Sequence, residues 1–367
     1  MNHTGNRLSG RARARGFNLQ EKFNATLRND PFREEDFELM AEWGFDFVRL
    51  PMSYHCWSSP ENWTALDEGC LKEIDQAVAW GQEYGIHVSL NFHRAPGYSV
   101  NRSVEEPFCL WTDDEALEAF CYHWRHFAER YQDVGDGVSF DLLNEPAFHA
   151  PGSSRFVSLA EWRRVYEQAL AVIREVSPER VVLVEGGAWG SLPVGRIDDP
   201  FVWQSAHLYS PLAVTHWRAP FIEIDWTSEA PDWPWNPDTD EDWEARAKFA
   251  DLFYGSGTEF SIPDESNASV WDAARFRRRM RVWADEQRVS GRVHVGEFGV
   301  FNETPHGVSL EWLSGALDSF REAELGWALW ELRGPFGVLD SERKDVAYED
   351  FKGMRLDRRM LELLKNG

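Results

Sequence analysis

Two glutamates carry the strongest chemical signal in this sequence. Glu145 ends the run Val138-Ser-Phe-Asp-Leu-Leu-Asn-Glu, and Glu297 ends the run Val293-His-Val-Gly-Glu. Each run is apolar enough for a buried strand, so both carboxylates are expected at the same end of one sheet. Cleavage of a glycosidic bond needs one carboxyl group to protonate the leaving oxygen and a second to attack or to activate water. A lone glutamate could simply cap a strand or pair with an arginine, but two in matching contexts favour the chemical interpretation.

The elements that must position these glutamates form a repeating pattern. Eight strand-like runs alternate with amphipathic helical patterns, which is typical of βα units around a parallel sheet. The predicted strands are residues 16–19, 45–51, 87–93, 138–144, 181–185, 201–208, 293–297 and 326–330. With 367 residues, of which 43% are hydrophobic, the chain is long enough for a large core. The sequence therefore predicts an α/β fold, a single (β/α)8 TIM barrel domain over residues 1–367.

Two predicted helices show both a start signal and an apolar face. Thr112-x-x-Glu115 and Ser158-x-x-Glu161 have the pattern of capping boxes. The apolar residues that follow each box recur with the helical period and predict core-facing stripes.

A tryptophan-rich insertion over residues 211–270 interrupts the pattern after the sixth strand. It contains Trp217, Trp226, Trp233, Trp235 and Trp243 among prolines and acids. Loops of this length in compact domains are usually functional lids or disordered, and the tryptophans argue against disorder. The segment could be a small satellite core over the barrel rim, or its indoles, in particular Trp233 and Trp235, could bind sugar rings in distal subsites.

Composition excludes several classes of partner. The formal net charge of −24 argues against binding to nucleic acid, which requires a basic surface, and against an anionic membrane. The strongly acidic composition fits either a high-salt source or an ordinary acidic enzyme. No apolar stretch of signal-peptide or membrane-span length is present, so the sequence as given predicts a cytoplasmic protein, exported only if a leader precedes it.

Cofactor and metal motifs are not found in the sequence. The four cysteines, Cys56, Cys70, Cys109 and Cys121, lack metal or redox spacing and are predicted to be free thiols. No Gly-x-Ser-x-Gly elbow, P-loop or dinucleotide fingerprint occurs, which excludes serine hydrolases, nucleotidases and dehydrogenases. We expect neither a cofactor nor a metal ion.

In an α/β barrel the chemistry lies at the carboxyl ends of the strands. The polar and aromatic residues there are Arg49, His93, Asn144, Glu145, His207, Tyr209, Glu297 and Trp330. Their motifs are Val48-Arg49-Leu50-Pro51, Asn91-Phe92-His93, Asn144-Glu145-Pro146, His207-Leu208-Tyr209, Gly296-Glu297-Phe298-Gly299 and Trp330. In this order, and over nearly the whole chain, they resemble family 5 of the glycoside hydrolases, the cellulase-like retaining β-glycosidases built on a (β/α)8 barrel.

The resemblance implies a role for each matched residue. Glu145 would be the acid/base and Glu297 the nucleophile. The remaining roles are supporting: Arg49 and Tyr209 would keep Glu297 ionised and oriented, Asn144 would contact the sugar 2-hydroxyl, His207 would lie beside Glu145, and His93 and Trp330 would line the subsite. An arginine next to one carboxylate, and different surroundings for the other, would separate the pKa values of the two glutamates.

His55 and Trp57, which follow the second strand, are candidates for additional substrate contacts. We expect a retaining hydrolase of β-1,4-linked glucan or its oligosaccharides. A β-mannanase or β-mannosidase is the alternative on the same scaffold, and a non-catalytic carbohydrate-binding barrel is the alternative of another class. Retention of two glutamates together with Arg49 and Tyr209 argues against the last, because binding alone needs no nucleophile.

Overall fold

Eight parallel strands close into a barrel in the computed structural model, which describes residues 13–101, 105–222, 229–236, 241–255 and 270–367, with the backbone only for 241–245. The barrel strands are β1 Arg15–Asn18, β2 Phe47–Ser53, β3 His87–Ala95, β5 Val138–Asp141, β6 Val182–Glu185, β7 Val202–Leu208, β8 Val293–Phe298 and β9 Gly326–Leu329. Each pairs with its neighbours in the barrel, and β1 closes the ring by pairing with both β2 and β9. The predicted (β/α)8 barrel is confirmed.

Short strands and helices complete the chain. A two-residue strand, β4 Tyr98–Ser99, folds back antiparallel on β3, and β10 Glu349–Phe351 pairs with β11 Met354–Leu356. The helices are α1 Glu34–Trp43, α2 Glu68–Tyr84, α3 Asp114–Arg130, α4 Leu159–Val176, α5 Gly187–Gly190, α6 Leu212–Thr215, α7 Glu241–Tyr254, α8 Ala273–Arg279, α9 Arg281–Ser290, α10 His306–Glu322 and α11 Arg358–Asn366. No helix in the described part of the chain is long and apolar enough to cross a membrane.

The barrel strands are buried on both faces, as expected for a parallel sheet covered by helices. Side chains at every second position point into the barrel. Near the amino ends of the strands this interior is aromatic, since the ring of Phe47 lies 4.2 Å from that of His294 and 5.7 Å from that of His87. Two residues further along β2, Arg49 is buried in the polar upper layer.

Helix starts agree with the sequence in one case and differ in the other. Ser158 and Glu161 form the predicted capping box of α4, with each side chain bonded to the backbone of the other. The box predicted at Thr112 is wrong, because α3 begins one residue later and its N-cap is Asp113.

The described part of the 211–270 insertion packs against the barrel rim. On α7, the ring of Phe249 stacks on Phe156 at 5.0 Å and meets Trp189 edge-on at 4.9 Å. The hydroxyl of Tyr254 donates to the carbonyl of Pro193. These contacts fasten α7 to the segments that follow β5 and β6. Trp226 and the side chain of Trp243 lie outside the described residues.

Candidate active site

Glu145 and Glu297 meet above the carboxyl ends of the strands. Glu297 lies on β8, whereas Glu145 follows the end of β5 by four residues. Together with His207 of β7, they each offer an atom within 4.8 Å of the others. Glu145 has a φ of 51°, a left-handed conformation that costs a non-glycine residue free energy and is often found at functional sites.

Both carboxylate oxygens of Glu297 accept hydrogen bonds. Arg49 donates from Nη1 to Oε1 at 2.6 Å, and the Tyr209 hydroxyl donates to Oε2 at 3.0 Å. Burial raises the pKa of Glu297 to about 7, against the opposing effects of His207 and Arg49. Arg49 does lower the pKa, as the sequence suggested, but the loss of hydration is the larger effect. Burial raises the pKa of Tyr209 well above its ordinary value, so the hydroxyl keeps the proton that it donates.

Glu145 is held by its side chain and by both of its peptide groups. His207 Nδ1 lies 2.8 Å from Glu145 Oε1. The backbone N–H of Glu145 donates to Glu185 Oε2 at 2.7 Å, and its carbonyl accepts from the Tyr98 hydroxyl at 2.6 Å. The surroundings of the two glutamates are therefore different, since a histidine contacts Glu145 and an arginine and a tyrosine contact Glu297.

Arg49 organises the base of the site. Its guanidinium makes five hydrogen bonds, to Asp141, Asn18, Glu297, Asn144 and Glu185. A guanidinium has five N–H groups, so this set uses its full donor capacity. The bond to Asn144 uses the side-chain oxygen and leaves Nδ2 buried without a partner among the described residues.

An aromatic wall faces the glutamates. Trp330 is half-buried and stacks on His93 at 5.3 Å, and the ring of Phe23 meets Trp330 edge-on at 6.2 Å. His93 Nδ1 is 3.9 Å from Glu297 Oε1. Burial, with the charges of Arg94 and Arg49, lowers the pKa of His93 well below its ordinary value, so the ring is neutral. The eight residues that carried the family resemblance thus lie around one site.

The further substrate-contact candidates have partners of their own. Trp57 is 1% exposed, packs on Phe92 and Phe127, and bonds through Nε1 to His123. Its prediction as a substrate contact is wrong, because the turn after β2 directs the indole into the core. His55 Nε2 lies 3.0 Å from Glu106, in a pair that is mostly buried.

The two tryptophans of the insertion that were assigned to distal subsites are half-buried. Trp233 packs at 5.6 Å from Phe276 of α8. The backbone of Trp235 pairs with that of Trp271. The indoles of Trp233 and Trp235 lie against the main core.

Sequence reasoning missed four residues of the site: Asn18, Tyr98, Asp141 and Glu185. Glu185 ends a predicted strand in the same way as Glu145 and Glu297, so the signal was present. Asp141 is the acidic residue within an otherwise apolar part of the β5 run. Burial and Glu185 raise the pKa of Asp141 to about 7, against the effect of Arg49, whereas His207 and Arg49 overcome burial and lower the pKa of Glu185.

The cluster of Glu145, His207 and Glu297 has the size of a metal site, although its members are far apart in sequence. His207, however, faces carboxylates with both ring nitrogens, 2.8 Å to Glu145 and 3.3 Å to Glu185. Burial opposes a charge on the ring, but Glu185, Glu297 and Glu145 together raise the pKa of His207 well above its ordinary value. A protonated imidazole has no free lone pair for a metal ion, so independence of metal stays our prediction.

Comparison with known proteins places the chain in a family. It matches the family model described as Cellulase (glycosyl hydrolase family 5) over residues 12–334. Endoglucanase C of Acetivibrio thermocellus is 26% identical over 322 residues, 86% of this chain and 88% of that protein. A probable glucan 1,3-beta-glucosidase A of Emericella nidulans is 33% identical over 157 residues, 42% of this chain and 37% of that protein.

A solved structure gives the same result over the whole fold. A crystal structure of a glycoside hydrolase superimposes with a TM-score of 0.79 at 29% identity, covering 96% of this chain and 99% of that one. The match to the family model covers most of the chain and agrees with the resemblance found in the strand-end residues. This chain is an O-glycosyl hydrolase and belongs to the cellulase family, glycosyl hydrolase family 5.

Proposed function

We propose that this hydrolase cleaves β-1,4-linked glucan chains or their oligosaccharides by double displacement, with retention of configuration. The proposal depends chiefly on the approach of the Glu145 and Glu297 carboxyl groups, which offer oxygens within 4.8 Å of each other. Retaining glycosidases hold these groups about 5–5.5 Å apart, whereas inverting enzymes need about 6.5–9.5 Å to admit a water molecule. The short separation supports direct attack by one carboxylate.

Glu297 is the nucleophile in this proposal. Its two oxygens are oriented by Arg49 and Tyr209, which donate hydrogen bonds to the carboxylate but do not protonate it. One oxygen attacks the anomeric carbon and forms a glycosyl ester, while the bond from that carbon to the leaving oxygen breaks.

Glu145 transfers the protons. It donates one to the leaving oxygen as the glycosidic bond breaks, then accepts one from the water that attacks the anomeric carbon and releases Glu297. His207, 2.8 Å away, orients the carboxyl group through both steps. In this proposal Asn144 Nδ2, which has no partner among the described residues, donates to a hydroxyl of the bound sugar, and Trp330 offers a flat ring face to the sugar.

The choice of glucan is supported by the relative named endoglucanase, which is covered over most of its length. Mannan remains the alternative on the same scaffold. The relative named probable glucan 1,3-beta-glucosidase gives a reason to include β-1,3 linkages in any test. A substrate panel should therefore contain cello-, manno- and laminari-oligosaccharides, and we expect cello-oligosaccharides to be cleaved with the highest kcat/KM.

Covalent trapping tests the mechanism. A 2-fluoro glycoside with a good leaving group slows breakdown of the glycosyl ester more than its formation, so the ester should accumulate on Glu297 and be found by peptide mass spectrometry. Proton NMR of the first products should show the β-anomer. A label on a peptide without Glu297, or an initial α-anomer, contradicts the proposal.

A further inference from the structure

We propose that Glu185 is a positioning residue of the reaction, which orients the proton-transferring carboxyl group of Glu145 by holding the Glu145 backbone and the His207 ring. This inference rests on the proposed roles of Glu145 and Glu297. Glu185 lies at the end of β6 and is completely buried. It is not one of the residues that carry the family resemblance.

Within the described part of the chain, every hydrogen bond and ion pair of the Glu185 carboxylate is with a residue of the site. Oε2 accepts from the backbone N–H of Glu145 at 2.7 Å. Oε1 accepts from Arg49 Nη2 at 2.6 Å and lies 3.3 Å from His207 Nε2. A carboxylate without hydration requires such partners, and here all of them belong to the catalytic arrangement rather than to the scaffold around it.

The first effect of Glu185 is on the backbone of Glu145. Glu145 has a φ of 51°, and a strained conformation persists only where its surroundings determine it. Glu185 holds the peptide N–H on one side and the Tyr98 hydroxyl holds the carbonyl on the other. The Tyr98 oxygen also accepts from the N–H of Ala147 at 3.2 Å, which ties the following turn to the same point.

The second effect is on His207. The ring lies between Glu145 at Nδ1 and Glu185 at Nε2, and only the protonated ring carries the positive charge that attracts both carboxylates. There is little room for it to move: a Cβ added to Gly190 would lie 2.8 Å from the ring, and one added to Gly296 would lie 3.2 Å from Nε2. Without the charge on Glu185, one of the three carboxylates that raise the pKa of His207 is lost.

Asp141 offers a matched control. It is also completely buried, and its Oδ2 accepts a hydrogen bond from Arg49 Nε at 2.6 Å. It makes no hydrogen bond to Glu145 or His207 among the contacts of the described residues. Replacing either Asp141 or Glu185 by its amide removes one carboxyl group from the Arg49 cluster, but only the change at Glu185 acts directly on Glu145.

The test compares kcat/KM on two substrates for the variants Glu185→Gln, Asp141→Asn and Glu145→Gln. An aryl glycoside with a good leaving group needs little protonation, whereas a cello-oligosaccharide needs a general acid. We expect Glu185→Gln to lower kcat/KM at least tenfold more on the oligosaccharide than on the aryl glycoside. Asp141→Asn should lower both by similar factors, because it acts through Arg49 on Glu297.

Two further measurements make the test decisive. The alkaline limb of the pH dependence of kcat/KM on the oligosaccharide, which reports the general acid, should move in Glu185→Gln and stay in place in Asp141→Asn, which a purely structural role would not produce. If Glu185→Gln does not fold, Glu185→Asp keeps the charge but withdraws the carboxylate by one methylene, and the same selective loss is expected. An equal loss on both substrates in the variant that folds overturns the inference.

Glu145→Gln separates this inference from the proposed function. If Glu145→Gln itself shows no selective loss on the oligosaccharide, the assignment of Glu145 as acid/base fails. If Glu145→Gln shows the selective loss and the Glu185 variants do not, only the role of Glu185 is wrong.

Discussion

Two cationic side chains lie among four carboxyl groups at the centre of the site. Arg49 and His207 face Asp141, Glu145, Glu185 and Glu297, and three of these carboxyl groups contact Arg49 directly. The carboxylates thus outnumber the positive charges in a buried region. The imbalance explains why burial raises the pKa of both Glu297 and Asp141 to about 7 although each touches Arg49.

The raised pKa predicts the acidic limb of the pH profile. Glu297 must be ionised to attack, so kcat/KM should fall as the pH drops through about 7, roughly tenfold per unit below that point. An ordinary glutamate would place this limb near pH 4.3. The measurement is kcat/KM on an activated aryl glycoside between about pH 4 and 9, and the apparent value belongs to the coupled cluster.

Tyr209→Phe provides the control for that profile. It removes a hydrogen bond to the ionised form of Glu297, so the acidic limb should move to higher pH. A wild-type profile that stays flat down to pH 5 contradicts the raised pKa.

At the scale of elements, the strands were predictable and their ends were less so. The predicted strand 293–297 corresponds to Val293–Phe298, but the one at 138–144 ends at Asp141. Hydrophobic runs indicate where a strand lies, whereas its end depends on tertiary contacts such as those that hold Glu145 in its left-handed conformation.

Two single residues, Glu185 and Trp57, were missed or assigned wrongly from the sequence, and only one of these errors was avoidable. Glu185 could have been predicted, because it closes its strand as Glu145 and Glu297 do and points to the same end of the barrel. The burial of Trp57 could not have been predicted. Its position after a strand end does not reveal that the short turn Tyr54–Cys56 directs the next indole into the core. A side chain beyond the strand has no periodicity to fix its direction.

The contacts of Trp233 lead to a prediction about the insertion. Trp233 is partly buried against Phe276 and the core, so Trp233→Ala should remove about 1–2 kcal/mol of packing and lower Tm by a few degrees. Turnover of an aryl monoglycoside should not change. Differential scanning calorimetry and steady-state kinetics measure the two effects.

Trp63→Ala is a suitable control for the loss of an indole, because Trp63 is also half-buried, against Tyr122 of α3. An unchanged Tm in Trp233→Ala, with a raised KM for longer oligosaccharides only, would instead support the distal sugar subsite predicted from the tryptophan-rich sequence.

At the scale of the whole molecule, the catalytic residues and the packed aromatic core of the barrel lie at opposite ends of the barrel axis. The carboxyl ends of the strands carry the charged site, and the amino ends carry aromatic contacts such as Phe47 on His294. The surface carries many ion pairs, for example Arg277 with Glu322 and Lys352 with Glu42. Exposed pairs of this kind contribute little individually, so the excess of negative charge dominates the electrostatics of the surface.

That excess predicts how stability responds to salt. With a formal net charge of −24, the folded protein is destabilised by self-repulsion, which salt screens as the Debye length falls from about 30 Å at 0.01 M to about 10 Å at 0.1 M. We expect Tm at pH 8 to rise by several degrees between about 10 mM and 0.5 M sodium chloride, and the rise to shrink near pH 5, where the charge approaches zero because the sequence pI is about 4.9. Chloride is the appropriate anion, since sulfate strengthens hydrophobic burial in any protein. A Tm at pH 8 that is constant or falls with salt would mean that the attractive ion pairs outweigh the net repulsion.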